Sequence, residues 1–421
     1  MSYEKKEEKK FAGEACEAAK NRKYEEDYSV DENHDVGKKS EFDEACKDIR
    51  LQVYISGSFD PYENLARELY LTEDAEPGVI TLYLWQNEKT VVIGRNQNAW
   101  RECRTTELAR AGGRLARRLS GGGAVYHDIG NLNFTFLAHE ADYSVDRQLR
   151  VIEAAAGMLG VPAKRSGRND ILADGRKFSG NAFYKHKQRA YHHGTLLVRT
   201  NSNEMSRFLR PSRAKLESKG VASVKSRVVN LSELNSEITV ENLKKALQSA
   251  FQKVYSDCFL TEKAHSGSIS SENIENENVK NSLIPLIYLT DSYFDAERLE
   301  KLRMHFADEN WIYGRKMKFD ISFEKRFDWG EIGIKLRISN AIITEISIDT
   351  DAMEWEIAPF LESSLKGCKF SENEMIIAIS SEFKNHFPES ESDSTSEDRE
   401  RKLKMSAVVS DICTLIREQN I

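Results

Sequence analysis

No stretch of this 421-residue chain has the roughly 18 consecutive apolar residues that a membrane-spanning helix needs, and its start lacks the apolar core of a signal peptide. Basic charge is not in excess either, because 68 Asp and Glu residues against 61 Lys and Arg give a net charge of −7. Such a surface has no overall basic field to attract nucleic acid or a membrane. We therefore expect a cytoplasmic protein that works with a protein partner and binds neither nucleic acid nor membrane.

The six cysteines are scattered, and no two of them have C-x-x-C spacing. A zinc site or a disulfide framework would need such clustering, so we expect reduced thiols. Neither Cys103 nor Cys258 has the local features of an activated thiol, and no Ser-His-Asp pattern is readable. His127 and the pair His192-His193 have no carboxylate or thiolate at ligand spacing, which favours core or hydrogen-bonding roles over a metal site.

Large apolar residues are scarce in two segments. Residues 1–48 hold 15 acidic and 10 basic residues, and such a composition cannot bury enough surface to offset the chain entropy. Residues 261–282 consist largely of Ser, Asn and Glu, which is typical of a flexible linker. The sequence therefore predicts a disordered charged extension over 1–48, a first domain over 49–260, a linker over 261–282 and a smaller second domain over 283–421.

Hydrophobic periodicity predicts an α+β protein. Alternation at 51–55 and 80–85 predicts strands, with 91–94 as the hairpin partner or near neighbour of the latter, whereas the spacing over 145–159 predicts a helix. Asp174-Gly175 is the signal for a two-residue type I′ hairpin. Together these elements predict a mixed, largely antiparallel sheet with flanking helices, followed by a small α+β C-terminal accessory domain.

A run of three glycines, Gly121 to Gly123, follows Arg117 and Arg118 and precedes the alternating segment Ala124–His127. Glycines permit close backbone approach and positive φ, so their N–H groups can curl around an anion while the arginines supply opposing charge. The composition is that of a phosphate cradle. Gly-rich turns also simply connect strands, and the run alone fits that interpretation equally well.

Lys177 and Asp170 lie on either side of the Asp174-Gly175 turn. The turn puts Lys177 at the start of a returning strand, although a lysine there is more often an ordinary surface residue. Asn169-Asp170 offers a hard carboxylate oxygen, and magnesium takes only one or two protein carboxylates. An Asx turn explains the same pair equally well.

Several ordered motifs resemble the lipoate–protein ligase A family, the long, two-domain bacterial type within the biotin/lipoate protein ligase superfamily. The resemblance covers about 53–231 and resumes over about 311–387. The motifs that carry it are Asp60–Ala66, Leu84–Asn87, Val92–Asn98, Arg117–Phe136, Gly167–Asp170, Lys177–Ala182, His192–Leu197 and Lys219–Val228.

This resemblance implies an adenylate-forming ligase that joins lipoate and ATP into lipoyl-AMP and passes the lipoyl group to a lysine. It implies a catalytic Lys177 that contacts both ATP and lipoate, a lipoate pocket at Trp85 and His193, and Mg²⁺ or nucleotide contacts at Asn169 and Asp170. The residues implied to hold ATP are Arg117, Gly122, Gly123, Ala124, Val125 and Lys177. The implied partners are lipoate and the lipoyl domains of 2-oxoacid dehydrogenase complexes or the glycine-cleavage H protein.

Three other functions fit part of the pattern. An octanoyltransferase of the same fold class would need a cysteine nucleophile and no ATP, yet none of the six cysteines falls in the expected acceptor region. A biotin–protein ligase shares the chemistry but has a different glycine motif. A non-catalytic module that binds lipoyl domains would have no need for Lys177 or for the intact glycine run.

Overall fold

The structure is a computed structural model that describes residues 49–167, 169–210, 228–265, 283–314, 317–387, 396–419 and 421, with the backbone alone for 257–265 and 396–398. The expected disorder of residues 1–48 lies outside this range, as does most of the expected linker. Residues 261–265 instead continue a helix. In the described part of the chain no helix combines the length and apolar character needed to cross a membrane.

Runs of strands and runs of helices follow one another along the chain. The strands are β1 (Arg50–Ser56), β2 (Val79–Trp85), β3 (Thr90–Ile93), β4 (Arg114–Arg117), β5 (Val125–His127), β6 (Asn131–His139), β7 (Lys164–Ser166), β8 (Asp170–Ala173), β9 (Arg176–His186), β10 (Arg189–Leu197), β11 (Leu286–Leu289), β12 (Ile321–Phe327), β13 (Gly330–Ser339) and β14 (Ile342–Thr350). The helices are α1 (Pro61–Glu73), α2 (Ala99–Glu102), α3 (Thr105–Arg110), α4 (Val145–Met158), α5 (Ser202–Phe208), α6 (Leu231–Leu234), α7 (Val240–His265), α8 (Ala296–Ala307), α9 (Glu309–Tyr313), α10 (Ile357–Leu365), α11 (Glu372–His386) and α12 (Ser396–Glu418).

A large sheet of described strands, in the order β11-β1-β2-β6-β10-β9-β8-β7, forms the centre of the first domain. Only β1 pairs in parallel, with β2 and β11, and the other pairs are antiparallel. Helices α4 and α7 pack on one face, and α1 and α8 pack on the other. The alternation in β1 follows from this, since Val53 and Ile55 face the first layer and Tyr54 the second. The predicted α+β architecture is confirmed.

Local signals in the sequence set two of the boundaries. Asp60 caps α1, because its carboxylate accepts hydrogen bonds from the amides of Tyr62 and Glu63 while Pro61 occupies the first turn. Asp174 and Gly175 have φ of 50° and 70°, as a type I′ turn requires, and they join β8 to β9. This turn brings Lys177 back towards Asp170.

The predicted hairpin between 80–85 and 91–94 does not form. Strand β2 lies between β1 and β6 in the large sheet, whereas β3 is the centre of a separate small sheet with the order β4-β3-β5. The glycine run is therefore not a hairpin turn between neighbouring strands. It crosses from β4 on one side of β3 to β5 on the other.

Residues 283–314, predicted as the start of the second domain, pack on the first. Strand β11 extends the large sheet beside β1, and Phe294, Leu299 and Phe306 around α8 join the apolar cluster of α1. The remaining part has its own core, in which β12, β13 and β14 pack against α10, α11 and α12. We therefore propose that the boundary lies near residues 315–316 instead of 283.

Candidate active site

A straight row of residues crosses five neighbouring strands on the face of the large sheet that α1 covers. Trp85 pairs with Asn133, Asn133 with Thr195, Thr195 with Gly180, and Gly180 with Asp170. Side chains that pair directly across strands project to the same face, and four strand spacings span roughly 19 Å. All five residues line one cavity of about 940 Å³. The row is the floor of an elongated pocket.

The cavity collects most of the residues expected from the sequence, and its size suits a ligand larger than a single nucleotide base. Those lining it are Trp85, Gly122, Gly123, Ala124, Val125, Asp170, Lys177 and His193. The second domain closes one side through residues that the sequence did not indicate, which are Arg326, Asp328, Trp329, Gly330, Asp351 and Met353. The roles assigned to the first set stay predictions, but their proximity is a property of the fold.

Lys177 lies near one end of the floor. Its Nζ is 2.5 Å from Asp170 Oδ1, and about a third of its side chain is exposed. A register shift between β8 and β9 sets Lys177 opposite Leu172 instead of continuing the regular ladder. Gly180 leaves room for the lysine, because a Cβ atom there would lie 2.6 Å from Nζ. The site thus has a cation paired with one carboxylate and open to the cavity.

Arg118 stabilises the glycine run through hydrogen bonds to its carbonyl groups. Its Nη2 donates to the carbonyls of Gly121 and Gly123 at 2.7 and 2.8 Å, and Nε donates to Ser120 Oγ at 3.0 Å. Burial lowers its pKa to about 10, so it stays charged at neutral pH. Among the three glycines Gly122 has a left-handed backbone, with φ 86°. Arg118 lines the cavity, and it is therefore the arginine that lies beside the candidate phosphate cradle.

Arg117, which the resemblance assigned to ATP, faces away from the cavity. Its guanidinium donates to the carbonyls of Trp311 and Ile312 at 2.8 and 2.7 Å, and to those of Arg95 and Gln97 at 2.7 Å each. Neighbouring side chains at the end of an extended strand project to opposite sides, which separates Arg117 from Arg118. In this structure Arg117 binds α9 to the first domain.

One amide of the candidate cradle already has a partner. The N–H of Gly122 donates to the carbonyl of Ala352 at 2.8 Å, and this carbonyl belongs to the second domain. Gly121 permits the approach, because a Cβ atom there would lie 2.3 Å from the Met353 carbonyl oxygen. No local pattern in the sequence indicates this contact, since the two segments lie some 230 residues apart.

His193 sits between the cradle and α1 in a buried hydrogen-bond network. Its Nε2 lies 2.8 Å from Ser120 Oγ, and its Nδ1 lies 2.8 Å from Glu68 Oε1. Glu68 also accepts from Thr135 Oγ1 at 2.7 Å. Every member is buried, so each polar atom needs the partner that the next one supplies.

The network ends at the tryptophan of the floor. Trp85 Nε1 donates to Thr135 Oγ1 at 3.0 Å, which fixes the orientation of the indole. Sequence reasoning missed Glu68 and Thr135. The available signal was Glu68 itself, a carboxylate one helical turn from Leu65 and from Leu71 on the buried side of α1.

Neither a cysteine nucleophile in the cavity nor a three-ligand metal site is found among the side chains that are described. Of Cys103, Cys368 and Cys413, none lines the cavity, and burial raises the pKa of the Cys103 thiol to about 12. No cluster of three metal-binding side chains exists within the described ranges. Asp170 nevertheless fits a magnesium ion that is bound mainly by phosphate oxygens and water, since such an ion needs one protein carboxylate.

Comparison with known proteins agrees with this geometry. Residues 60–252 match the family of the lipoyl protein ligase A/B catalytic domain, and residues 316–396 match the bacterial lipoate protein ligase C-terminus. The latter range begins close to the domain boundary proposed above.

Individual proteins match over nearly their whole length. The chain is 36% identical over 327 residues to a lipoate-protein ligase A of Psychrobacter cryohalolentis, covering 78% of this chain and 91% of that protein. It is 34% identical over 322 residues to that of Bdellovibrio bacteriovorus, covering 76% and 88%. A crystal structure of P. falciparum LipL1 in complex with lipoate is similar with a TM-score of 0.66 and 27% identity, covering 86% of this chain and 99% of that one. The chain therefore belongs to the lipoate–protein ligase A family.

Proposed function

We propose that this protein activates lipoate with ATP and transfers the lipoyl group to a lysine of an acceptor protein, in the cavity described above. The observation that carries the proposal is the floor of the cavity. A cation lies near one end at Lys177, and the indole of Trp85 lies at the other. A medium-length acid with an anionic head and an apolar tail matches that polarity.

In the first step a carboxylate oxygen of lipoate attacks the α-phosphorus of ATP, the bond to the β-phosphate breaks, and pyrophosphate leaves. Both reactants are anions, so preorganised cations and N–H groups aimed at the developing charge lower the barrier. Lys177 would touch the α-phosphate and the lipoate carboxylate after its ion pair with Asp170 opens. The amides of Gly123, Ala124 and Val125 would hold the phosphates, with Arg118 keeping the loop in shape.

In the second step the amine of an acceptor lysine attacks the lipoyl carbonyl, and AMP leaves. Mg²⁺, held by Asp170 and the phosphates, would neutralise charge on the nucleotide when bound. The expected acceptors are lipoyl domains, including those of 2-oxoacid dehydrogenases and the glycine-cleavage H protein. A cytoplasmic location stays a prediction.

The second domain would act as a cover over the cavity, and part of it would compete with the nucleotide for the glycine run. The Ala352 carbonyl occupies the N–H of Gly122, a group that a phosphate oxygen would use. Binding of ATP would therefore displace this segment, and the domain would have to shift before the bulky acceptor enters. Conformational steps of this kind commonly accompany ligase chemistry.

ATP–pyrophosphate exchange tests the first half of the proposal. Lipoate, octanoate and biotin are offered in parallel to the full chain with labelled pyrophosphate. We expect exchange that depends on lipoate and is absent with biotin. Exchange with biotin alone, or with no acid at all, would contradict the proposed activity.

A further inference from the structure

One buried nitrogen at the Trp85 end of the cavity has no partner. His127 lines the cavity, only 3% of it is exposed, and its Nε2 makes no hydrogen bond. Its ring lies edge-on to Trp85, with the centroids 6.0 Å apart. A buried polar atom without a partner is costly, so such an atom in a binding cavity points to a ligand.

The neighbours of His127 determine that this nitrogen carries the proton. Asn64 Nδ2 donates to the carbonyls of Ser58 and Gln86 at 3.0 and 2.9 Å, and carbonyls can only accept, which fixes the orientation of the Asn64 amide. The same Nδ2 lies 3.0 Å from Asn87 Oδ1, which shares one of its two hydrogens; the opposite orientation of Asn87 would bring two NH₂ groups together. The Asn87 amine therefore faces His127 Nδ1, at 3.2 Å.

Asn133 adds a second donor towards the same ring nitrogen, with Nδ2 at 3.5 Å from His127 Nδ1. Nδ1 is thus an acceptor, and a neutral ring must carry its hydrogen on Nε2. The ring is neutral because burial lowers the pKa of His127 to about 3, with the charge of Arg118 acting in the same direction. The side chain is a fixed N–H donor.

The place of this donor along the floor identifies what it would meet. Asp170 lies at the far end of the row, four strand spacings from Trp85, and Lys177 reaches it from the neighbouring strand β9. An acid whose carboxylate pairs with Lys177 must direct its tail towards Trp85 and His127. A hydrocarbon tail would leave the N–H unpaired, whereas a sulfur atom is a weak acceptor.

We propose that His127 donates from Nε2 to a sulfur of the dithiolane ring and so makes the site prefer lipoate to acids with an all-carbon tail. This inference rests on the proposed function, because it assumes that the cavity binds the acid to be adenylated. His127 is then a specificity-determining residue that is not required for the chemistry itself. Asn87 and Asn133 are positioning residues that keep its proton on the cavity side.

The test compares two acids of the same shape, lipoate and cyclopentylpentanoate, in the intact protein. Cyclopentylpentanoate has the arm and ring size of lipoate, with carbons in place of both sulfurs. We measure kcat/KM of ATP–pyrophosphate exchange for both acids in the wild type, in His127→Phe, which keeps a ring but removes the donor, and in His192→Phe. His192 is the matched control, since it is fully buried, has partners for both ring nitrogens and does not line the cavity.

We expect the wild type to favour lipoate by about tenfold, the value of one satisfied buried donor, and His127→Phe to lose most of that preference. His192→Phe should keep the wild-type ratio even if its melting temperature falls. A ratio in folded His127→Phe within about twofold of the wild type overturns the inference. A wild-type ratio near one overturns it without any variant, and absence of exchange with every acid overturns the proposed function together with it.

Discussion

Lys177 keeps its amino group in the cavity because its own strand leaves space for it. The bulge between β8 and β9 turns the side chain towards the floor, and Gly180 presents no Cβ atom in its path. Within the part of the chain that the structure describes, the ammonium is paired with the carboxylate of Asp170. A triphosphate brings more negative charge than one carboxylate, so the same lysine can change partners at little cost when ATP binds.

Replacing Lys177 by Met should reduce lipoyl-AMP formation by about 10²–10³-fold, the usual loss for one preorganised donor in a transition state. The melting temperature should change little, because the lysine is about a third exposed and its ion pair contributes little to folding. Lys177→Arg should recover only part of the rate, since a planar guanidinium cannot replace a compact charge. Single-turnover adenylation measures both variants.

Lys185→Met is the matched control for Lys177, because it removes a lysine from the far end of the same strand, outside the cavity. It should retain the wild-type rate. If Lys177→Met kept more than about a tenth of the rate, the charge in the mechanism would have to come from Arg118 or from Mg²⁺.

Gly180→Ala tests the position of the lysine instead of its charge. The added Cβ atom would lie 2.6 Å from Nζ and 2.8 Å from Cε of Lys177, so the flexible end of the lysine must move away. We expect a loss of about tenfold or more in adenylation with an almost unchanged melting temperature, because misplacing a catalytic group costs rate without costing packing. Gly157→Ala is the control, since a Cβ atom there meets nothing within 4 Å. An unchanged rate in Gly180→Ala would show that the lysine works equally well from elsewhere.

Among the elements, α9 depends on a side chain from a distant strand. Arg117 donates to the carbonyls of Trp311 and Ile312, and Trp311 Nε1 returns a hydrogen bond to the Arg117 carbonyl at 2.9 Å. A helix of five residues cannot be stable by itself, so this exchange holds it in place.

Arg117→Ala should therefore lower the free energy of unfolding by about 2–4 kcal/mol, because it leaves several buried carbonyls without donors. Hydrogen exchange should increase first at residues 309–313. Urea unfolding measures the free energy of unfolding. The control is Arg110→Ala, a change on the exposed end of α3, whose free energy of unfolding should stay within about 0.5 kcal/mol of the wild type. A large loss of ATP affinity with unchanged stability would instead return Arg117 to the role that the family resemblance implies.

Elements with local signals were predictable from the sequence, and elements placed by distant contacts were not. The turn at Asp174-Gly175 depends on two adjacent residues, and it was located correctly. The pairing of β3 with β4 and β5 depends on segments more than 20 residues away, which no window of alternating residues reveals. The candidate site has the same limitation. The motif contains both Arg117 and Arg118, but the sequence does not show which of the two side chains faces the cavity.

Strand β11 is the clearest case of an element that is placed by distant contacts. Its pairing with β1 leads to a prediction about where the first domain ends. A fragment of residues 49–314 should fold with one cooperative transition, whereas a fragment of residues 49–282 should be poorly soluble. The shorter fragment loses β11 and α8, which exposes β1 as an edge and uncovers Tyr54 and Tyr70. Size-exclusion chromatography and thermal melts compare the two. Equal folding of both fragments would place the boundary at 283, as first expected.

On the scale of the whole molecule, the two domains meet through polar contacts near the glycine run. Arg101 forms ion pairs at 2.8 Å with both Glu324 and Glu331 of the second domain. Asn96 Nδ2 donates to the Trp355 carbonyl at 2.7 Å, and the Thr350 amide donates to the Asn96 carbonyl at 2.9 Å. Trp355 adds an aromatic contact with Tyr184, with ring centroids 5.7 Å apart. The ion pairs of Arg101 are partly exposed and therefore sensitive to salt, which suits the proposed movement of the second domain.

Arg101→Ala should therefore lower the KM for ATP by about three- to tenfold at low ionic strength. Exposed ion pairs contribute up to about 1 kcal/mol each, and losing two of them favours the state in which Gly122 N–H is free for a phosphate oxygen. The difference between variant and wild type should shrink at high salt, because salt screens the same pairs. Arg298→Ala is the matched control, since it removes an arginine with two acidic partners, Glu73 and Asp74, that lie within the first domain. If Arg101→Ala left the KM for ATP unchanged or raised it, the Ala352 carbonyl would not compete with the nucleotide, and the contact would instead help to build the ATP site.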